Sequence, residues 1–119
     1  LLDFLDLSLW DCFKHPENRQ MGSKSLLQHV NVLKRNKVRL TVAGKISSAR
    51  DVQTVLESGM DFVTIGRSAI LHHDFPKRVI ADPNFEPVAL PVSRNYLRTE
   101  GLGEAFIDYM SRWKHFVSP

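Results

Sequence analysis

The sequence predicts an α/β fold in which short parallel strands alternate with amphipathic helices. Residues 38–71 carry the pattern most clearly, because two β-rich runs flank one segment of helical periodicity. Each of these two strands is followed by a glycine, Gly44 after the first and Gly66 after the second. Parallel strands joined by a helix end at the same edge of a sheet, so we expect the two glycines to be neighbours.

The boundaries of this central unit follow from local residue preferences. In residues 38–42 apolar and polar side chains alternate, which predicts a strand that stops at Ala43. After the N-capping serines at positions 47–48, apolar residues recur at helical spacing. The helix is predicted to end at Gly59, since glycine accepts the left-handed conformation, and residues 61–65 then form a second apolar strand.

The two strand ends predict a phosphate site. At the carboxyl ends of parallel strands, backbone N–H groups and helix N-termini point outward unpaired, and a glycine lets an anion approach the backbone. Arg67, directly after Gly66, adds a planar cation suited to phosphate, and residues 68–71 are a possible short helix aimed at the same place. The alternative interpretation is that Gly44 and Gly66 are turn residues only and that Arg67 is a surface cation.

The segments before the central unit are predicted to border the same site. Residues 2–9 alternate apolar and polar side chains, as a first parallel strand would, and residues 12–22 form a loop over the site. Three loop residues are candidate ligand contacts, namely Lys14, His15 and Arg19. Cys12 has no acid or base at a convincing spacing, so packing is its expected role. Residues 24–36 are predicted to form a helix capped by Ser23.

The segments after the central unit are predicted to pack on the fold and not to form a metal or catalytic site. Residues 72–74 are His-His-Asp, but adjacent side chains diverge and no second ligand pair supports them, so no metal site is predicted. Residues 77–81 form a short helix, and the prolines within residues 83–91 predict an extended stretch that cannot pair as a central strand. From residue 102 onward an amphipathic helix either packs on the body or reaches a second subunit, which makes a homo-oligomer one option.

Length and composition limit the possible classes of protein. A chain of 119 residues allows one domain, residues 1–119, and its 43% hydrophobic and 24% charged content is ordinary for a globular protein. The net charge of +3 comes from scattered cations without interleaved aromatics, which argues against nucleic acid as a partner. No run approaches the roughly 20 apolar residues of a membrane span, so no membrane association and a cytoplasmic location are expected. The chain also opens inside a predicted strand, which suggests that a missing N-terminal half or a partner completes the sheet.

Five segments carry a family resemblance. They are DFLDLSLWD, VRLTVAGKI, MDFVTIGRSAIL, HHDFPKRVIADP and the terminal WKHFV, and the IGR element is the most specific part. Together they resemble the last third of the old yellow enzyme family, the FMN-dependent NAD(P)H oxidoreductases that include the 2,4-dienoyl-CoA reductases. The resemblance covers nearly the whole chain. It implies the C-terminal part of a TIM (β/α)8 barrel, about strands 6 to 8, followed by a C-terminal helix.

The resemblance also implies a function. In such enzymes the positions matching Ala43, Gly44, Gly66 and Arg67 hold the phosphate of FMN, NAD(P)H is the reductant, and the small-molecule substrate is an activated alkene. The groups that contact the isoalloxazine ring and donate a proton lie in the family's earlier strands, so no catalytic residue is expected in this chain. Lys45 departs from the family, which often has a small or apolar residue there.

Two alternatives to the flavin enzyme stay open on the sequence. The first is another phosphate-binding barrel enzyme, such as a sugar-phosphate isomerase or synthase, which would use the same glycines without any flavin. The second is a non-enzymatic half-barrel module that binds phosphate or dimerises to complete its sheet.

Overall fold

The structure, a computed structural model, describes residues 2–119, so Leu1 of the predicted domain 1–119 lies outside it. Within that range, three strands, six α-helices and one 3-10 turn (Arg19–Met21) follow one another. The strands and helices are β1 (Phe4–Ser8), α1 (Leu26–Asn31), β2 (Arg39–Ala43), α2 (Ala49–Glu57), β3 (Phe62–Val63), α3 (Arg67–Leu71), α4 (Phe75–Ala81), α5 (Arg94–Thr99) and α6 (Glu104–Met110). Among the helices described, none is both long and apolar enough to cross a bilayer.

The three strands form one parallel sheet with β2 in the centre. Leu5 of β1 pairs with Leu40 of β2, and Thr41 of β2 pairs with Phe62 of β3. The α/β class and the parallel arrangement predicted from the sequence are therefore confirmed. Because all three strands run in the same direction, their carboxyl ends lie at one edge of the sheet.

The sheet is open, which contradicts the predicted part of a TIM barrel, about strands 6 to 8. In a barrel every strand has neighbours on both sides, and the strands tilt around a common axis. In the part of the chain that the structure describes, β1 and β3 each pair on one side only, and β3 is only two residues long. Three short strands, one of them with only two residues, do not form the wall of a barrel. The barrel assignment is wrong, and an open three-stranded α/β sheet replaces it.

One hydrophobic cluster packs around the central strand. Leu40 and Val42 of β2 are 1% and 0% exposed, and they share the cluster with Val55 of α2. Helix α2 begins where predicted, because the Ser48 hydroxyl accepts from the Asp51 N–H at 3.1 Å and the Asp51 carboxylate accepts from the Ser48 N–H at 3.0 Å. Each fully buried aliphatic side chain stabilises the fold by about 1.5–3 kcal/mol. This packing fixes α2, and with it the carboxyl end of β2, against the sheet.

A second hydrophobic cluster joins α3, α5 and α6 with the end of the chain. Its buried members are Leu71, Val92, Leu97, Ile107, Met110 and Phe116. The Val92 N–H donates to the Phe116 carbonyl at 3.0 Å, and the Ser118 N–H donates to the Val92 carbonyl at 2.8 Å. The segment predicted as an amphipathic helix from residue 102 packs on the body through Ile107 and Met110 of α6, and contact with a second subunit stays a prediction.

The first helix is shorter than predicted for a local reason. The sequence pattern favoured residues 24–36 with Ser23 as the cap, whereas α1 has six residues. Ser25 forms a capping box with Gln28, in which each side chain bonds the other residue's backbone N–H, so the helix starts two positions later than Ser23 would allow. Beyond the helix the backbone reaches a left-handed conformation at Asn36, with φ of 51°.

His72 is a buried imidazole, 3% exposed, whose hydrogen bonds fix its neutral form. Its Nε2 accepts from the Val88 N–H at 3.1 Å, and its Nδ1 lies 3.2 Å from the Tyr96 hydroxyl oxygen. That hydroxyl donates to the Leu71 carbonyl at 2.7 Å, so Nδ1 is the ring nitrogen that carries the proton. Burial, reinforced by the positive charge of Arg78, lowers the pKa of His72 below its usual 6.5.

We expect the protein to lose stability as the pH falls below about 6.5, through protonation of His72. Because the pKa is lower in the folded state, the unfolded chain binds the proton first. The stabilisation is complete above the unfolded-state pKa and is lost as the pH falls toward the folded-state pKa. Urea unfolding between about pH 7.5 and pH 5.5 measures this loss, which can reach about 1.4 kcal/mol per pH unit. His72→Gln should show a smaller pH slope, and an unchanged slope would contradict the assignment.

Candidate functional site

A cavity of about 320 Å³ opens at the carboxyl ends of β2 and β3. The loops that follow these strands form its polar wall, and apolar residues from the segment before α5 and from the chain end complete it. The lining residues are Gly44, Lys45, Ile46, Ser47, Thr64, Ile65, Gly66, Arg67, Ser68, Leu71, Pro87, Val88, Leu90 and Phe116. A larger groove, about 410 Å³, lies between α2, α4 and β3, but its lining is apolar apart from Asp61 and includes no cation. The first cavity is therefore the candidate site.

Position 44 requires glycine because the backbone of the loop after β1 packs directly against it. Its φ is +145°, and a Cβ at this position would lie 2.6 Å from the Leu9 carbonyl oxygen and 2.9 Å from the Cys12 nitrogen. The Cys12 N–H donates to the Gly44 carbonyl at 3.3 Å, and the Leu9 N–H donates to the Ala43 carbonyl at 2.9 Å. This close approach joins the carboxyl ends of β1 and β2, so Gly44 has a structural role that does not depend on a ligand in the cavity.

Gly66 has no such packing role. Its φ is −114°, and a Cβ built there would meet no heavy atom within 4 Å. It precedes α3 as a cap without a side-chain hydrogen bond. Within the described residues, the N–H groups of Gly66, Arg67 and Ser68 donate no hydrogen bond, as is usual at a helix start. Three free donors therefore lie beside an unobstructed approach to the cavity.

Two hydroxyl contacts hold the strand ends together. The buried Ser68 hydroxyl donates to the Ile46 carbonyl at 2.6 Å and so joins the loop after β2 to α3. The hydroxyl oxygens of Thr41 and Thr64 lie 2.9 Å apart and bridge β2 to the segment after β3. These contacts fix the loop after β2 relative to the segment that follows β3. Neither contact could be predicted from the sequence, because nothing in the spacing of these residues indicates a contact across strands.

Two cations line the cavity, and they have different neighbours. The Arg67 guanidinium lies over the Trp10 ring, 5.4 Å from its centroid, and it forms no salt bridge with any described residue. Lys45 Nζ lies 3.1 Å from Asp11 Oδ2. A ring face leaves the charge of Arg67 uncompensated, whereas a carboxylate offsets the charge of Lys45.

Asp11 is held in place by its own hydrogen bonds. Its Oδ1 accepts from the Phe13 N–H at 3.0 Å, while the other oxygen contacts Lys45. Partial burial works to raise the pKa of Asp11, but Lys45 and the backbone donors outweigh it, so the pKa lies below its usual value. Asp11 is therefore a fixed negative charge beside the cavity at neutral pH.

The structure brings three of the four predicted site residues together. Gly44, Gly66 and Arg67 line one cavity. Ala43 is the last residue of β2 and is not part of the lining. The loop cations offered as candidate ligand contacts, Lys14, His15 and Arg19, do not line the cavity either. From the loop after β1, Trp10 contacts Arg67 and Asp11 contacts Lys45, although neither lines the cavity itself.

Cys12 is buried, with 0% of its surface exposed. Burial, and next the neighbouring Asp11, raise the pKa of the Cys12 thiol to about 11. A thiol in this state is not an activated nucleophile, so the structure supports its predicted packing role.

The side chains of His73, Asp74 and Glu100 converge on one another, but they already have partners within the chain. Their ligand-type atoms lie within 4.8 Å of one another. His73 Nδ1 lies 2.8 Å from Glu100 Oε2, and Arg78 Nε donates to Asp74 Oδ1 at 2.6 Å. Because Arg78 and His73 engage both carboxylates, this group is an ion-pair cluster that joins α4 to the end of α5.

No protein-family model, curated protein or solved structure matches the chain. The resemblance to the old yellow enzyme family therefore stays a prediction that depends on the sequence motifs alone.

Proposed function

We propose that the cavity binds the phosphate group of FMN and that the chain is part of an FMN-dependent NAD(P)H oxidoreductase of the ene-reductase type. One observation carries the proposal. Arg67 lines the cavity without a carboxylate partner in the described chain, directly beside the free N–H groups that start α3. A guanidinium and several backbone N–H donors are the groups that proteins use to bind phosphate.

The residues present fit the phosphate end of FMN. A phosphate monoester carries a double negative charge and several acceptor oxygens, which match one guanidinium and the N–H groups of Gly66, Arg67 and Ser68. Gly66 leaves the approach free of side-chain atoms. Bound FMN would supply hydride transfer between NAD(P)H and an activated alkene. The role of this chain is to anchor and orient the phosphate, and no catalytic residue is assigned to it.

A second candidate is a phosphate-handling enzyme without flavin, such as a sugar-phosphate isomerase or synthase. The observation that favours it is the chemistry of the cavity wall. The donors and the cations recognise phosphate, and the rest of the lining combines two hydroxyl residues, Ser47 and Thr64, with apolar side chains. Such a wall would suit many phosphomonoesters.

We further propose a cytoplasmic location. The sole cysteine, Cys12, is a free thiol, which suits a reducing compartment. A supply of NAD(P)H as reductant fits the same compartment.

The phosphate role is tested by comparing FMN with riboflavin, which has the same ring system and ribityl chain without the phosphate. Equilibrium dialysis of the chain against each flavin should give affinity for FMN at least about tenfold higher, because charge-assisted hydrogen bonds are lost in riboflavin. Inorganic phosphate should compete with FMN. Equal affinities for the two flavins would contradict the proposal, and ribose 5-phosphate binding as tightly as FMN would favour the second candidate.

A further inference from the structure

The loop after β1 contacts both cations of the cavity through two adjacent residues. Trp10 lies against Arg67 and Asp11 pairs with Lys45, although neither Trp10 nor Asp11 lines the cavity. Both of the cavity's cations therefore have their surroundings set by one loop. The two neighbours act differently, because an indole face orients a guanidinium without removing its charge, whereas a carboxylate neutralises an ammonium group.

The Asp11 carboxylate is held in one position beside Lys45. Asp11 is tied to the backbone through the Phe13 N–H, and its side chain is 19% exposed, against 53% for Lys45. Lys45 itself sits in a left-handed backbone conformation, with φ of 55°. A tethered carboxylate cannot follow the lysine toward solvent. An incoming anion would therefore have to compete with Asp11 for Lys45.

We infer that Asp11 is a specificity-determining residue, which neutralises Lys45 and leaves Arg67 as the one uncompensated cation among the cavity-lining residues. The site then favours ligands that end in a single phosphate group over pyrophosphates, whose second phosphate would need a second free cation. This inference rests on the proposed function, since it assumes that the cavity binds phosphate.

The test measures the affinity of the chain for inorganic phosphate and for pyrophosphate by calorimetry, and compares their ratio among variants. Asp11→Asn keeps the acceptor for the Phe13 N–H and removes the charge, so the ratio of pyrophosphate to phosphate affinity should rise about fivefold. Lys45→Gln leaves Asp11 uncompensated, and the ratio should fall by a similar factor. The double variant should return to the wild-type ratio, because both charges are gone.

The outcomes separate this inference from the proposed function. If phosphate binds and Arg67→Ala weakens that binding, but Asp11→Asn leaves the ratio unchanged, the inference is wrong and the proposed function survives. A double variant with the low ratio of Lys45→Gln would also overturn it, because Lys45 would then contact the anion directly. If neither anion binds the wild-type chain, the proposed function fails and the inference fails with it.

Discussion

Replacing Arg67 with alanine is expected to weaken FMN binding about 30-fold, which corresponds to about 2 kcal/mol for a lost charge-assisted contact. Arg67 forms no salt bridge in the described chain, so its charge is available to a ligand in the cavity that it lines. The substitution also removes the contact with Trp10, which is worth about 0.5–1 kcal/mol at an exposed site. Equilibrium dialysis with FMN measures the first effect, and urea unfolding shows that the fold persists.

Two control variants sharpen this experiment. Arg39→Ala changes the net charge by the same amount at the amino end of β2, away from the cavity, and should leave FMN affinity unchanged. Arg67→Lys keeps the charge but loses the planar fork, so its affinity should fall between those of the wild type and Arg67→Ala. If Arg39→Ala weakened binding as much as Arg67→Ala, the effect would be one of net charge, and the cavity would not be the site.

Gly44→Ala is expected to lower the free energy of unfolding by about 3 kcal/mol. The new Cβ would lie 2.6 Å from the Leu9 carbonyl oxygen and 2.9 Å from the Cys12 nitrogen, and φ of +145° is unfavourable for alanine. Both neighbours are backbone atoms held in the hydrogen bonds that join β1 to β2, so they cannot move without breaking those bonds. Urea unfolding of the variant and the wild type measures the difference.

Gly66→Ala is the matched control for this substitution. Its Cβ would enter open space at an ordinary φ, so the free energy of unfolding should change by less than about 1 kcal/mol. The methyl group would nevertheless occupy the approach to the free N–H groups, and FMN affinity should fall. A Gly44→Ala variant as stable as Gly66→Ala would contradict the packing role assigned to Gly44.

The parts of the fold that depend on local chemistry could be predicted from the sequence. The start of α2 followed from the capping serines at positions 47–48, of which Ser48 is the N-cap in the structure. Helix α5 was missed, since its cap, Ser93, precedes a short segment with a single buried residue, Leu97, and so shows no apolar periodicity.

The extent of the sheet could not be predicted in the same way. The pattern of residues 61–65 indicates a strand of five residues, yet β3 spans only Phe62 and Val63. Whether a sheet closes into a barrel depends on which strands find neighbours, and that information is not contained in the pattern of any one strand. The barrel assignment failed for this reason, although the direction of the strands was right.

The candidate site, like the fold, could be predicted from the sequence only in part. Gly44, Gly66 and Arg67 were predicted from their positions after strands, and the structure gathers them around one cavity. The contacts of Trp10 with Arg67 and of Asp11 with Lys45 join residues that are far apart in the sequence, so no spacing signals them. Gly44 was expected to let an anion approach the backbone, whereas in the structure it is required by packing against the loop after β1.

We propose that the start of α3, beside the carboxyl ends of β2 and β3, receives a phosphate group. The most direct test follows the backbone N–H resonances of the isotopically labelled chain during titration with FMN and, separately, with riboflavin. We predict saturable shifts at Gly66, Arg67 and Ser68 with FMN and none at these positions with riboflavin. Shifts that are the same for both flavins, or that lie instead along the apolar groove between α2 and α4, would contradict the account.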